Sequence, residues 1–137
     1  MIVVDTNVVA YLLLPGPHTA LAEELLLQEP EWAAPLLWRS EWRNVVSHYL
    51  RRDLLPFSAA LALTQQAEAL LSAHEQAVAS EHVLQLVASS RCSAYDCEFV
   101  AAAQQLGVPL VTADRALLEA FPGVARALDP SGGTDPL

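Results

Sequence analysis

Lysine is absent from this chain. Its seven basic residues are all arginine, set against sixteen acids, for a net charge of −9 over 137 residues. That balance excludes a protein held to nucleic acid by net charge. It does not exclude a nuclease, because a metal cluster presents positive charge locally inside an acidic protein. It also suits a chain that uses acids as metal ligands or meets a basic partner. Long hydrophobic runs are missing too. No apolar stretch approaches the roughly 18 residues of a membrane helix, so no membrane association is expected. The N-terminus reads as a strand, with neither the basic region nor the apolar core of a secretory signal. Cysteine is scarce. Cys92 and Cys97 lack a neighbouring histidine pattern, which disfavours a metal site and points to two reduced, buried thiols. None of the four histidines has the spacing of a zinc-ligand set. The expectation is one soluble, cytoplasmic domain, with a hydrophobic fraction of 53% ample for a core.

What is present is organised around the first residues. Ile2-Val3-Val4 reads as a strand buried on both faces, and it runs straight into Asp5-Thr6-Asn7. Asp5 is thus expected at the C-terminal edge of a sheet, where open α/β sheets place their ligands. An ordinary turn aspartate is the bland alternative. Val8 to Leu14 reads as a short helical piece or loop, closed by Pro15-Gly16-Pro17. A helix is predicted from about His18 to Gln28, with His18 as a solvated or capping residue, and a short strand at residues 31–34.

The next helix is predicted over 35–51. Trp38, Trp42, Val45 and Tyr49 form a helical stripe. Glu41 falls about 60° from Trp38 and about 40° from Val45 on the helical wheel. A glutamate inside a buried stripe is costly unless something balances it; snorkelling at the margin is the alternative. Arg39 and Arg43 point the other way. A further helix, with Ser58 as candidate N-cap, extends to about Ser72. Residues 76–79 read as a weak edge strand and 80–89 as a short helix.

The second informative stretch is Ser93-Ala94-Tyr95-Asp96-Cys97, opening a helix that Gly107 closes. Ser93 three before Asp96 is an N-capping pattern. Asp96 shares a face with Val100 and Ala103 and is expected to point inward. Its simpler role is to sit favourably at a helix N-terminus. Glu98 reads as a surface residue. The strand at residues 108–112 then ends in Ala113-Asp114-Arg115 before a helix over 116–120, which repeats the setting of Asp5. Asp114 also suits an N-cap. A last edge strand is predicted over 124–128, and residues 129–137 as a fraying tail.

Alternating strands and helices imply a parallel sheet covered on both faces, and right-handed crossovers bring the strands' C-terminal ends to one edge. Asp5, Glu41, Asp96 and Asp114 are expected to meet there. Four converging carboxylates repel unless neutralised. Mg²⁺ or Mn²⁺, hard ions that prefer oxygen, would do so, and the suited chemistry is phosphodiester hydrolysis.

Together, Val3-Val4-Asp5-Thr6-Asn7, Ser40-Glu41, Ser93-Ala94-Tyr95-Asp96 and Leu110-Val111-Thr112-Ala113-Asp114 resemble the four acidic motifs of PIN domains. The likeness is closest to VapC ribonuclease toxins of bacterial and archaeal toxin–antitoxin pairs, and it covers almost the whole chain. It implies a three-layer α/β/α domain over residues 1–128, its mainly parallel sheet of four to five strands in the order 3-2-1-4-5. It implies an Mg²⁺- or Mn²⁺-dependent endoribonuclease. Asp5, Glu41, Asp96 and Asp114 match the acidic tetrad, with Asp5 and Asp96 the usual central metal ligands. Asn7 and Thr112 match polar residues that support the site. An RNA substrate, a homodimer and a cognate antitoxin are further implications. The apolar excess at Leu12–Leu14, Leu25–Leu27, Leu54, Leu55 and Phe57 independently favours a dimer. Two features depart from the family pattern. Cys97 stands where a small residue usually follows the third acid. Without lysine, only Arg39, Arg43, Arg51, Arg52, Arg91 and Arg115 remain as candidate phosphate contacts, and each also reads as plain surface charge. The alternatives are a nuclease for RNA processing or DNA, or a catalytically silent interaction protein of the same fold.

Overall fold

The computed structural model describes residues 1–131. The expected tail at 129–137 therefore lies outside the described residues beyond Ser131. Among the described residues, five strands form one sheet: β1 (Ile2–Val4), β2 (Trp32–Pro35), β3 (Glu75–Gln76), β4 (Leu110–Thr112) and β5 (Ala125–Ala127). Their order is β3-β2-β1-β4-β5, and every neighbouring pair is parallel. This is the order 3-2-1-4-5 expected above. β1 is central and Ile2, Val3 and Val4 are fully buried, as a strand covered on both faces must be. Val4 pairs with Val111, so Asp5 and Thr112 emerge side by side at the same edge.

Seven α-helices and a short 3-10 helix (Ser72–His74) complete the described chain: α1 (Thr6–Leu13), α2 (Thr19–Gln28), α3 (Trp38–Arg51), α4 (Phe57–Leu71), α5 (Ser80–Ala88), α6 (Ala94–Leu106) and α7 (Arg115–Ala120). α6 packs on β1, β2 and β4, with α5 against it; α1, α3 and α4 pack together, α1 reaching β4 and α4 reaching β2. Helices thus flank the sheet on both sides. Ala101, Ala102 and Ala103 are fully buried, and their small side chains let α6 approach closely. No helix of the described residues is long and apolar enough to cross a membrane.

Local signals placed α6 well. Ser93 Oγ accepts from the Asp96 N–H at 3.1 Å, and Gly107 adopts the left-handed conformation, φ 69°, that terminates a helix without a Cβ penalty. Cys92 and Cys97 are buried free thiols.

Other boundaries moved. Pro35 ends β2 and α3 starts only at Trp38, because the first residues of that stretch pair with β3 instead of coiling. Ser58 lies inside α4, whose N-cap is Pro56. His18 occupies the N-cap position of α2 without a side-chain cap bond; its ring stacks on Tyr11 instead, with centroids 4.6 Å apart. β3 begins one residue before the expected strand and is two residues long.

Glu75 explains that shift. Its carboxylate accepts from Trp38 Nε1 at 2.8 Å and from Arg39 Nε and Nη2 at 2.7 and 2.9 Å. The Arg39 fork beside it holds Glu75 below the usual carboxylate range. Arg39 also pairs with Glu68 at 3.3 Å. It is a structural clasp between α3, α4 and β3, and so is withdrawn from the candidate phosphate contacts.

The buried stripe of α3 is Trp38, Trp42 and Val46. Val45 and Tyr49, expected on that stripe, are only partly buried. Steps of four residues drift across a straight helix, and the tryptophans select the row that continues at i+8.

Candidate acidic site

Asp5 both ends β1 and caps α1. Its Oδ1 accepts from the Thr6 N–H at 2.8 Å, which forces the chain to turn into helix at once. Its Oδ2 accepts from Thr112 Oγ1 at 2.7 Å and from Asn7 Nδ2 at 3.4 Å. Three donors hold the carboxylate in one orientation, and it is only 7% exposed. Asp114 has the parallel arrangement one strand over. It caps α7 by accepting from the Ala116 N–H at 2.8 Å, and its own N–H donates to Thr112 Oγ1 at 2.9 Å. Thr112 is therefore a bridge between the two strand-end acids.

Glu41 lies in the first turn of α3 and is half-buried. Its Oε1 accepts from Thr6 Oγ1 at 2.7 Å. Thr6 thus ties the second acid to the first across 35 residues of sequence. Asp96, half-buried in the first turn of α6, joins the others through charge rather than through a shared hydrogen bond.

Burial pushes Asp5 up to about 7; the hydrogen bond from Thr112 opposes this, and the charges of Glu41 and Asp96 add to it. Glu41 is raised by burial and by Asp96 and Glu98. Asp96 is raised by burial and by Asp114. Glu98, expected on the surface, is half-buried and raised by that burial. From α6, Glu98 thus adds its charge to the rise of Glu41, as Asp96 does to the rise of Asp5.

Of the four acids expected to meet, Asp5 and Asp114 stand at neighbouring strand ends bridged by Thr112, Glu41 is tied in through Thr6, and Asp96 acts on them by charge. They are not drawn into a ready ligand cage: among the described residues, no group of three or more His, Cys, Asp or Glu side chains is placed to hold a metal ion. The donor set itself is all carboxylate oxygen. A buried carboxylate raised by two acid neighbours fits a hard divalent cation, which would supply the missing positive charge.

Sequence reasoning overlooked Thr6 and Glu98. Thr6 carried a signal, a hydroxyl directly after a strand-end acid; its pairing with Glu41, 35 residues away, did not. A cleft of about 920 Å³ beside Asn7 and Asp114 had no signal of its own, because its walls come from α1, α3, the α1–α2 turn and the β4–α7 junction.

Thr112→Val keeps the shape of a fully buried side chain and removes both of its hydrogen bonds. It strands the Asp114 N–H and deprives Asp5 of a donor. Urea unfolding of the variant is expected to show a loss of about 1–3 kcal/mol.

The PIN domain family model matches residues 2–122. Ribonuclease VapC3 of Pyrobaculum aerophilum is 29% identical over 126 residues, covering 90% of this chain and 96% of the relative. Among solved structures, FitAcB from Neisseria gonorrhoeae superposes with a TM-score of 0.70 at 19% identity, covering 96% of this chain and 99% of that one. A toxin–antitoxin complex from Klebsiella pneumoniae gives 0.66 at 19% identity, covering 95% and 98%. With the family model spanning β1 through α7 and all four acids inside the match, this chain belongs to the PIN domain family.

Proposed function

We propose that this protein is a divalent-metal-dependent endoribonuclease, the toxin of a toxin–antitoxin pair. The observation that carries the reading is Asp5 at the C-terminal edge of a parallel sheet: held by three donors and raised by its burial, with two acid neighbours adding to the rise. The similarity to a protein named a ribonuclease supports RNA as the substrate.

Asp5, Glu41, Asp96 and Asp114 would hold Mg²⁺ or Mn²⁺, with Asp5 and Asp96 at its centre. Such an ion, when bound, activates water and stabilises the leaving oxygen of a phosphodiester. The remaining work belongs to this chain's side chains. Thr112 and Asn7 orient Asp5, and Thr6 orients Glu41. Positioning of this kind avoids reorganisation when charge develops.

A cognate antitoxin is the proposed protein partner, in keeping with the toxin–antitoxin complex among the similar structures. A basic side chain of that partner would find complementary charge at the acidic edge. A homodimer is proposed on the exposure of Leu27, Leu54, Phe57 and Leu61, which stand 47–85% accessible. Leu12, Leu13, Leu25, Leu26 and Leu55 instead pack partly against the core, and Leu14 is buried. They do not add to that surface.

The second reading is a catalytically silent interaction protein. One observation favours it, the lack of a ready metal-ligand group among the described residues. Incubation with single-stranded RNA separates the two. Internal cleavage is expected with Mg²⁺ or Mn²⁺ and none in EDTA. Intact RNA under both conditions would select the silent reading; cleavage in EDTA would overturn the role of the metal.

A further inference from the structure

The large cleft opens directly from the acidic edge. Asn7, which touches Asp5, and Asp114 form one end of it. Tyr11 and His18 form a wall, their rings stacked at 4.6 Å with 20° between planes. Both rings are partly exposed. Tyr49 of α3 lines the cleft as well, and the exposed Arg115 stands at its rim beside Asp114. The Pro15-Gly16-Pro17 turn leads into His18, with φ fixed at both prolines.

We infer that this cleft takes the unpaired nucleobases of the RNA strand next to the bond being cut, with the Tyr11–His18 pair as their stacking platform. The inference rests on the nuclease reading and names the form of its substrate. An occupant that fills the cleft meets Asp114 and Asn7, hence lies beside the acids that would hydrolyse it. Flat aromatic faces recognise bases through stacking, which tolerates any base sequence. A guanidinium at the rim meets the charge of the phosphates that accompany those bases. In a duplex the bases stack on one another and offer no face to Tyr11, so the cleft selects unpaired RNA. The same geometry supplies the local affinity that a chain of net charge −9 lacks over its surface as a whole.

Binding by Asp5→Asn tests this, since that parent leaves the RNA whole. Fluorescence anisotropy would follow a labelled single-stranded RNA of about eight nucleotides, within the usual site size, in Mg²⁺. The same RNA annealed to its complement is the control. Adding Tyr11→Leu or His18→Ala is expected to weaken single-strand binding about five- to a hundredfold, the range for losing one base–aromatic stack. Duplex binding is expected to stay within about twofold. His18→Ala sits at a partly exposed turn and keeps the test decisive should Tyr11→Leu disturb α1. Unchanged affinity in both variants overturns the inference and leaves the cleft to a protein segment. Equal weakening for single strand and duplex also overturns it, because the cleft would then read charge and not bases. The nuclease reading fails separately: wild-type protein would leave RNA intact in Mg²⁺ and Mn²⁺ while the parent still bound single strands through the cleft.

Discussion

Asp5→Asn is expected to abolish RNA cleavage and, in the same protein, to raise metal-free stability. The loss of activity should be about 10²–10³-fold or more, the scale of removing one group that stabilises transition-state charge. The gain in stability follows from burial. Asp5 is 7% exposed, and burial raises its carboxyl to about 7 from an ordinary value of 3.8, with Glu41 and Asp96 adding to the rise. Between those two pH values the folded protein holds a proton that the unfolded chain has released, so folding weakens as pH increases through that window. Above it, the wild type carries the full penalty of a buried charge. Asn carries none and keeps an oxygen for the Thr6 N–H. The stability difference is therefore largest above pH 7 and disappears as pH falls towards 4. Each pKa unit corresponds to about 1.4 kcal/mol. The loss of a charge-accepting oxygen near Thr112 and Asn7 offsets part of this. Thermal melts in EDTA at pH 8 are expected to show a rise of at least about 3 °C, shrinking at pH 5. A lower melting temperature at pH 8 would mean that Asp5 contributes more by its hydrogen bonds than its charge costs.

The largest stability loss is expected from Trp42→Ala. Trp42 is 1% exposed, and its Nε1 donates to Thr64 Oγ1 at 3.0 Å, while Thr64 Oγ1 donates to the Ala60 carbonyl at 2.8 Å. The ring fills the space between α3 and α4, and its N–H closes a chain of polar bonds across that contact. Truncation opens a cavity and deprives Thr64 of a donor. A cost of about 3–5 kcal/mol is expected, lowering the melting temperature by more than about 10 °C. Activity should fall with it, since Glu41 precedes Trp42 on the same helix and reaches Thr6 only while α3 is seated. Trp42→Phe retains most of the volume and is expected to lower the melting temperature less than half as much. Equal losses for the two variants would assign the energy to the Thr64 hydrogen bond instead of to packing.

The sequence by itself determined the features that local rules control. An apolar triplet running into an acid placed Asp5 at a strand end, and the same pattern placed Asp114. Ser93 and Gly107 bounded α6, because capping groups act on backbone atoms a few residues away. The order of elements, with right-handed crossovers, put the acids' edge on one side of the sheet. Tertiary structure decided what depends on side chains distant in sequence. Thr6 grips Glu41 across 35 residues, and Thr112 grips Asp5 across 107. No period or spacing encodes such pairs; they arise when β1 and β4 align and α3 packs against α1. Helical periodicity alone could not choose between Val45 and Val46, and it left Glu98 on the surface until α6 settled on the sheet. Arg39 read as a solvated charge until Glu75, carried by a two-residue strand, met its guanidinium. The cleft lined by Tyr11, His18 and Tyr49 belongs to no single segment. Its walls exist only because α1, α3 and the turn at Pro15 are brought together by a core whose residues are chosen for burial.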